Sequence, residues 1–124
     1  MATLVVTEGP AKGSHFPLAM ASVSIGRDDT CSFQILDPRV SRTHLQVRFD
    51  DALGTHVAAD YRSAHGVYVN DARIVLDTTL RDGDSIRIGG TTMMYLAADC
   101  ADAAAASEAV RKRDEWKRST VIGR

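Results

Sequence analysis

Across residues 3–98 the apolar positions fall in short runs, most of them alternating with polar ones, and each run is closed by a cluster of turn-forming residues. TLVVTE (3–8) leads into the turn-rich GPAKGS, and HFPLA (15–19), VSIGR (23–27) and CSFQI (31–35) follow. Beyond the loop LDPRVSR comes THLQVRF (43–49), where Leu45, Val47 and Phe49 share one face and Gln46 and Arg48 the other. That period of two is what a half-buried strand requires. THVAAD (55–60) reads as a further strand, GVYVNDARIV (66–75) as a hairpin turning on Asn70-Asp71, and DGDSIRIGGTTMMYLAA (82–98) as two strands around Gly89-Gly90. Many short strands between polar turns predict an all-β sandwich of about ten or eleven strands.

Residues 99–119 break the pattern. This stretch has no glycine or proline and is dominated by strong helix formers. A carboxylate at its start (Asp99 or Asp102) and basic residues toward its end suit the helix macrodipole. Most of its apolar residues are alanines, with Val110 and Trp116 the only large ones. The stripe is thin, and predicts a helix that packs lightly on the sandwich or leads out of it. The expected organisation is a sandwich over 1–98, then a C-terminal helix and tail over 99–124, with Thr120 just past the helix.

Composition narrows the function. A chain of 124 residues suffices for one domain with a real core. With 44% hydrophobic residues, 25% charged residues and a net charge of −1, nothing points to nucleic acid or a membrane surface as partner. No apolar run approaches the roughly 20 residues of a membrane span. MATLVVTEGP has neither the charged start nor the long apolar run of a signal peptide, so a cytoplasmic location is expected. Cys31 and Cys100 are far apart and outside any CxxC or Cys/His spacing. They read as reduced thiols, and neither a metal nor a cofactor is expected.

The candidate chemistry lies in loops. DPRVSRTHLQVRF (37–49) gathers Ser41, Arg42 and His44 at the mouth of a strand where packing asks for none of them. It is either an ordinary solvated loop or a place built to hold an anion. VSIGRDD ends a strand on Gly26-Arg27, DYRSAHGVYVND carries Ser63, His65, Gly66 and Asn70, and LRDGDSIRIGG closes with a Gly-Asp turn into a strand. In this order and at these separations the four motifs resemble the forkhead-associated (FHA) domain, a β-sandwich that binds phosphothreonine peptides. The resemblance spans roughly residues 2–97.

It implies a phosphothreonine-containing protein or peptide as partner, in phosphorylation-dependent protein–protein interaction. A phosphothreonine carries nearly two negative charges and three acceptor oxygens, so it calls for guanidinium, hydroxyl and backbone N–H donors. By similarity to the family, Arg27 donates to the phosphate, Ser41 adds hydroxyl and backbone bonds, and Arg42 supplies a second cation. Ser63, His65 and Asn70 then contribute contacts to the peptide. Gly26 lets the strand end turn tightly, while His44 and Gly66 support the site from beneath.

Two positions depart from the family's pattern. Where the family usually has Ser/Thr-x-Asn-Gly-Thr, this chain reads Ser63-Ala64-His65-Gly66-Val67. Ala64 has no hydroxyl to donate, and His65 replaces the asparagine that holds the peptide backbone. A degenerate module that docks a partner independently of phosphate is therefore the alternative reading. Catalysis is not expected. Asp37, Ser41 and His44 nominally make a triad, but they crowd into eight residues with no GxSxG elbow or GxxxxGK loop. Lys117 and Arg118 precede Ser119 and Thr120 as basophilic kinases favour. A phosphorylated Thr120 would be a ligand for a second copy, giving self-association through the tail.

Overall fold

The computed structural model describes residues 2–18, 20–97, 100 and 102–122, the side chains of 116–122 excepted. Eleven strands follow one another in the order β1 (Ala2–Glu8), β2 (His15–Leu18), β3 (Val23–Gly26), β4 (Phe33–Gln34), β5 (Leu45–Asp50), β6 (Thr55–Asp60), β7 (Val67–Val69), β8 (Ala72–Arg73), β9 (Thr78–Thr79), β10 (Ser85–Ile88) and β11 (Thr91–Leu96), and α1 (Ala103–Ile122) comes last. They form a six-stranded sheet, β2-β1-β11-β10-β7-β8, and a five-stranded sheet, β4-β3-β5-β6-β9. Every pairing is antiparallel except β3 with β4. This is the sandwich that the alternation predicts.

The alternating residues make the core. Leu4 and Val6 of β1, Ile86 and Ile88 of β10, and Met93 and Tyr95 of β11 face Ile25 of β3, Leu45 and Val47 of β5, and Ala58 of β6 across the sandwich. Phe16 and Phe33 stack with ring centroids 4.6 Å apart, closing the side where β2 and β4 lie at the edges of their sheets. The predicted strand at 31–35 shrinks to Phe33–Gln34, and Thr43 and His44 belong to the loop before β5.

Asp102 starts the helix: its carboxylate accepts the N–H of Ala105 at 2.8 Å, the bond expected of an N-cap. Asp99 lies outside the described residues. The helix ends later than the sequence suggests, at Ile122, with no basic residue in its last turn. Thr120 is therefore part of that turn and does not follow it; its side chain, like that of Trp116, lies outside the described residues. Among the described residues the contact with the sandwich is thin and rests on small side chains. Ala106 is buried with Val5, Met94 and Leu96 on the outer face of the first sheet, and Ala109, Val110 and Cys100 pack around them. Arg113 pins the helix further through Asp82, with Nη2 3.0 Å from the carboxylate. Among the described residues no helix is long and apolar enough to cross a membrane.

Register sets the position of the site. Ile25 pairs with Leu45, Leu45 with Asp60, Val67 with Ile88, and Glu8 with Thr92. The loops 9–14, 27–32, 35–44 and 61–66 and the turn 89–90 therefore all emerge at one end of the sandwich.

Candidate functional site

Three of these loops are tied together at Ser41. The Arg27 N–H donates to the Ser41 carbonyl and the Asp28 N–H to the Arg42 carbonyl, each at 3.0 Å, so the chain leaving β3 runs alongside residues 41–42. The Ala64 N–H donates to Ser41 Oγ at 3.0 Å and brings in the β6–β7 loop. Because Oγ acts there as acceptor, the Ser41 hydroxyl proton remains available to donate elsewhere.

Gly26 makes the first approach possible, though not by the turn conformation expected of it. It is absent from the positive-φ residues. Instead, a Cβ at this position would lie 2.2 Å from the Arg42 carbonyl oxygen. Only a residue without a side chain lets the two loops come this close.

His44 clamps the loops from below. Its ring is fully buried, with Nδ1 3.0 Å from the Ser41 N–H and Nε2 2.7 Å from the Gly66 carbonyl. The backbone N–H can only donate and the carbonyl can only accept, which fixes the neutral tautomer with its proton on Nε2. Burial pushes the imidazole below its ordinary value of 6.5, against the opposing pull of the Gly66 carbonyl and Asp60. The same turn is capped by Ser63, whose Oγ accepts the Gly66 N–H at 2.9 Å, and Gly66 has the φ of +84° that favours glycine.

A second brace went unassigned in the sequence. Asp37 is buried, and its carboxylate accepts the Arg39 N–H at 2.9 Å, the Gly90 N–H at 2.9 Å and the Thr91 hydroxyl at 3.0 Å. Burial raises its pKa, but these three bonds together with the charge of Arg39 outweigh it and hold the group below 3.8. The loop carrying Ser41 and Arg42 is thus anchored to the β10–β11 turn. The bonds of Asp37, Ser41 and His44 run to backbone groups and Thr91 instead of forming a side-chain relay, so the nominal triad has no catalytic geometry.

Above this frame sit cations. Arg27 and Arg42 are exposed. Arg27 Nε is tethered to the Val40 carbonyl at 3.0 Å, and its two Nη groups have no partner among the described residues. Arg42 forms no ion pair within hydrogen-bond distance among the described residues; its charge helps keep the Asp28 carboxyl low, after the hydrogen bonds from the Thr30 N–H and hydroxyl that are the main cause. His65 projects from the same turn and is exposed, as is Ala64.

Asn70 is not brought to this site. It lies at the opposite end of β7, where its amide nitrogen donates to Asp84 at 2.9 Å and its amide oxygen accepts the Ser85 N–H at 3.0 Å. With φ of 51° at Asn70 and 69° at Asp71, the pair forms the tight turn of the β7–β8 hairpin. Arg73 was also missed: its guanidinium lies over Gly66, where a Cβ would be 2.6 Å from Nε. Only the strand register could have shown this.

A two-sheet sandwich that presents cations and a hydroxyl with a proton left to donate, on loops cross-linked by hydrogen bonds at one end, has the architecture of a binding module. Residues 23–89 match the profile of the FHA domain, and the chain belongs to that family. It is 34% identical over 101 residues to the glycogen accumulation regulator GarA of Mycolicibacterium smegmatis, covering 82% of this chain and 62% of that protein. It is likewise 34% identical to an oxoglutarate dehydrogenase inhibitor of Corynebacterium efficiens, covering 81% of this chain and 68% of that one. A solved structure from work on phosphothreonine-dependent FHA domain interactions superposes with a TM-score of 0.70 at 32% identity, covering 79% of this chain and 97% of that one. Several curated relatives are much longer, and the chain spans 5% to 62% of the first of them.

Proposed function

We propose that the chain is a phosphothreonine-peptide-binding module that mediates phosphorylation-dependent protein–protein interaction and performs no catalysis. The observation that carries this reading is the group at Ser41: a hydroxyl proton left available by the Ala64 bond, flanked by Arg27 and Arg42, neither of which forms a salt bridge among the described residues. A phosphate dianion would take bonds from the Arg27 Nη groups and the Ser41 hydroxyl, with Arg42 as a second cation. The Ser41 N–H, held by His44, is not available to it. Ser63 and His65 border the peptide, and Asn70 acts through the fold alone. A phosphorylated Thr120 is the ligand through which one copy would hold another.

The test is a fluorescence-anisotropy titration of a threonine peptide and its phosphorylated form, with the parent and with Arg27→Ala. The phosphorylated peptide should bind at least about tenfold tighter, since a charge-assisted bond contributes about 1.5–3 kcal/mol. Arg27→Ala should remove that preference and leave the fold intact. Equal binding of the two peptides would favour docking that does not depend on phosphate, the reading that Ala64 and His65 keep open.

A further inference from the structure

Helix α1 packs on β1 and β11, and the other half of the same outer face carries a different surface. Tyr68 of β7 stands directly opposite Arg73 of β8 on one side and Arg87 of β10 on the other. Residues so paired project from the same face. Val67 and Val69 point into the core, so Tyr68 and both arginines point outward. Arg87 lies over the Tyr68 ring, with Cζ 4.1 Å from its centroid. A guanidinium held over a ring in this way keeps its charge and can still offer N–H donors to a carboxylate. Neither Arg73 nor Arg87 has an ion pair or a side-chain hydrogen bond among the described residues. Arg48, Arg111 and Arg113, by contrast, each have a carboxylate partner close by.

This strip begins at the rim of the phosphate site. The Arg73 guanidinium rests on Gly66, the residue whose carbonyl receives His44 and whose N–H is capped by Ser63. A chain leaving the site past His65 would meet Arg73 first and Arg87 next. We propose that this face is a second contact for the phosphoprotein partner, where an acidic segment of the same chain crosses Gly66 and pairs its carboxylates with Arg73 and Arg87. The inference rests on the phosphothreonine reading above. Charge complementarity and continuity with that site select this occupant.

Three peptides test it against the full chain by fluorescence anisotropy: a short phosphothreonine peptide, the same peptide extended by four Asp or Glu residues, and a control extended by Asn and Gln. Extensions are placed at either end in separate peptides. The acidic extension at one end should tighten binding about fivefold, the yield of two charge pairs at an exposed surface. The amide extension should add nothing. Arg87→Gln should abolish most of the gain while leaving the short phosphopeptide unchanged, and Arg73→Gln should also abolish it. Equal affinity for the acidic and amide extensions overturns the proposal. So does an Arg87→Gln variant that weakens the short peptide as much as the extended one. A parent that sediments as a dimer while Arg87→Gln sediments as a monomer makes the occupant a second copy, and also overturns it. If the short phosphopeptide fails to bind the parent, the phosphothreonine reading falls and takes this inference with it.

Discussion

Replacing His44 with phenylalanine separates the frame of the site from its donors. The phenyl ring is larger than the imidazole it replaces, so none of the cost comes from a cavity. What is lost is the pair of bonds at 3.0 Å to the Ser41 N–H and 2.7 Å to the Gly66 carbonyl. Each backbone group left without a partner costs about 1–3 kcal/mol when buried. Gly66 is buried and Ser41 only half-buried, so the carbonyl bears the larger share. The total should be about 2–4 kcal/mol, a large part of the roughly 5–15 kcal/mol that holds a domain together. Urea unfolding followed by far-ultraviolet circular dichroism reads this directly. With a slope of roughly 1.5 kcal/mol per molar, the midpoint should fall by about 2 M at unchanged slope. Phosphopeptide affinity should fall as well, because the loops carrying Ser41 and Ser63 are no longer held in register. A midpoint shift below about 0.5 M with affinity intact would refute the account, showing that the histidine does not hold the two loops together.

Gly26→Ala should destabilise the fold by about 2–3 kcal/mol in the same assay, because the added methyl meets the Arg42 backbone, which cannot swing aside as a side chain could. The pH dependence of stability should show the His44 brace. Its folded pKa lies below the unfolded 6.5, so stability is full above 6.5 and declines as pH falls through 6.5 toward the folded value. The gap in unfolding midpoint between the parent and His44→Phe should therefore narrow in that window. Asp37 acts in a separate range: its carboxyl is held below 3.8, so its contribution is present above 3.8 and lost as pH falls below it. Asp102→Ala, which removes the cap on Ala105, should cost about 1 kcal/mol, measured by the same unfolding curves.

How much of this could be read beforehand varied with how locally each feature is specified. β5 was legible because Leu45 and Val47 are fully buried while Gln46 and Arg48 are not, so alternation alone named its faces. β9 was not. Thr78 and Thr79 carry no alternation, and they become a strand only because β6 offers Val57 and Ala58 as partners. The motifs around Arg27, Ser41 and His44 led to one place, and the structure brings those residues together. Motif spacing misled for Asn70, whose position in a tight Asn-Asp turn was the better guide to its role. Asp37 was considered only as a member of a triad, and its bonds to Gly90 and Thr91 cross from one sheet to the other. Arg73 and Arg87 were invisible for a related reason. They are neighbours only through Tyr68, and nothing in the linear chain announces a cross-strand row.

The edges of the two sheets carry a consequence for solubility. An unpaired strand edge is a template for addition of another chain, and long flat edges invite aggregation. Here the second sheet ends in β4 and β9 and the first in β8, each two residues long, while the remaining edge, β2, is four residues long and contains Pro17. A two-residue edge offers too few N–H and C=O groups for a foreign strand to zip along, and Pro17 has no N–H to donate to a strand that adds beside β2. Strand-by-strand stacking of copies is thereby disfavoured on both flanks of the sandwich.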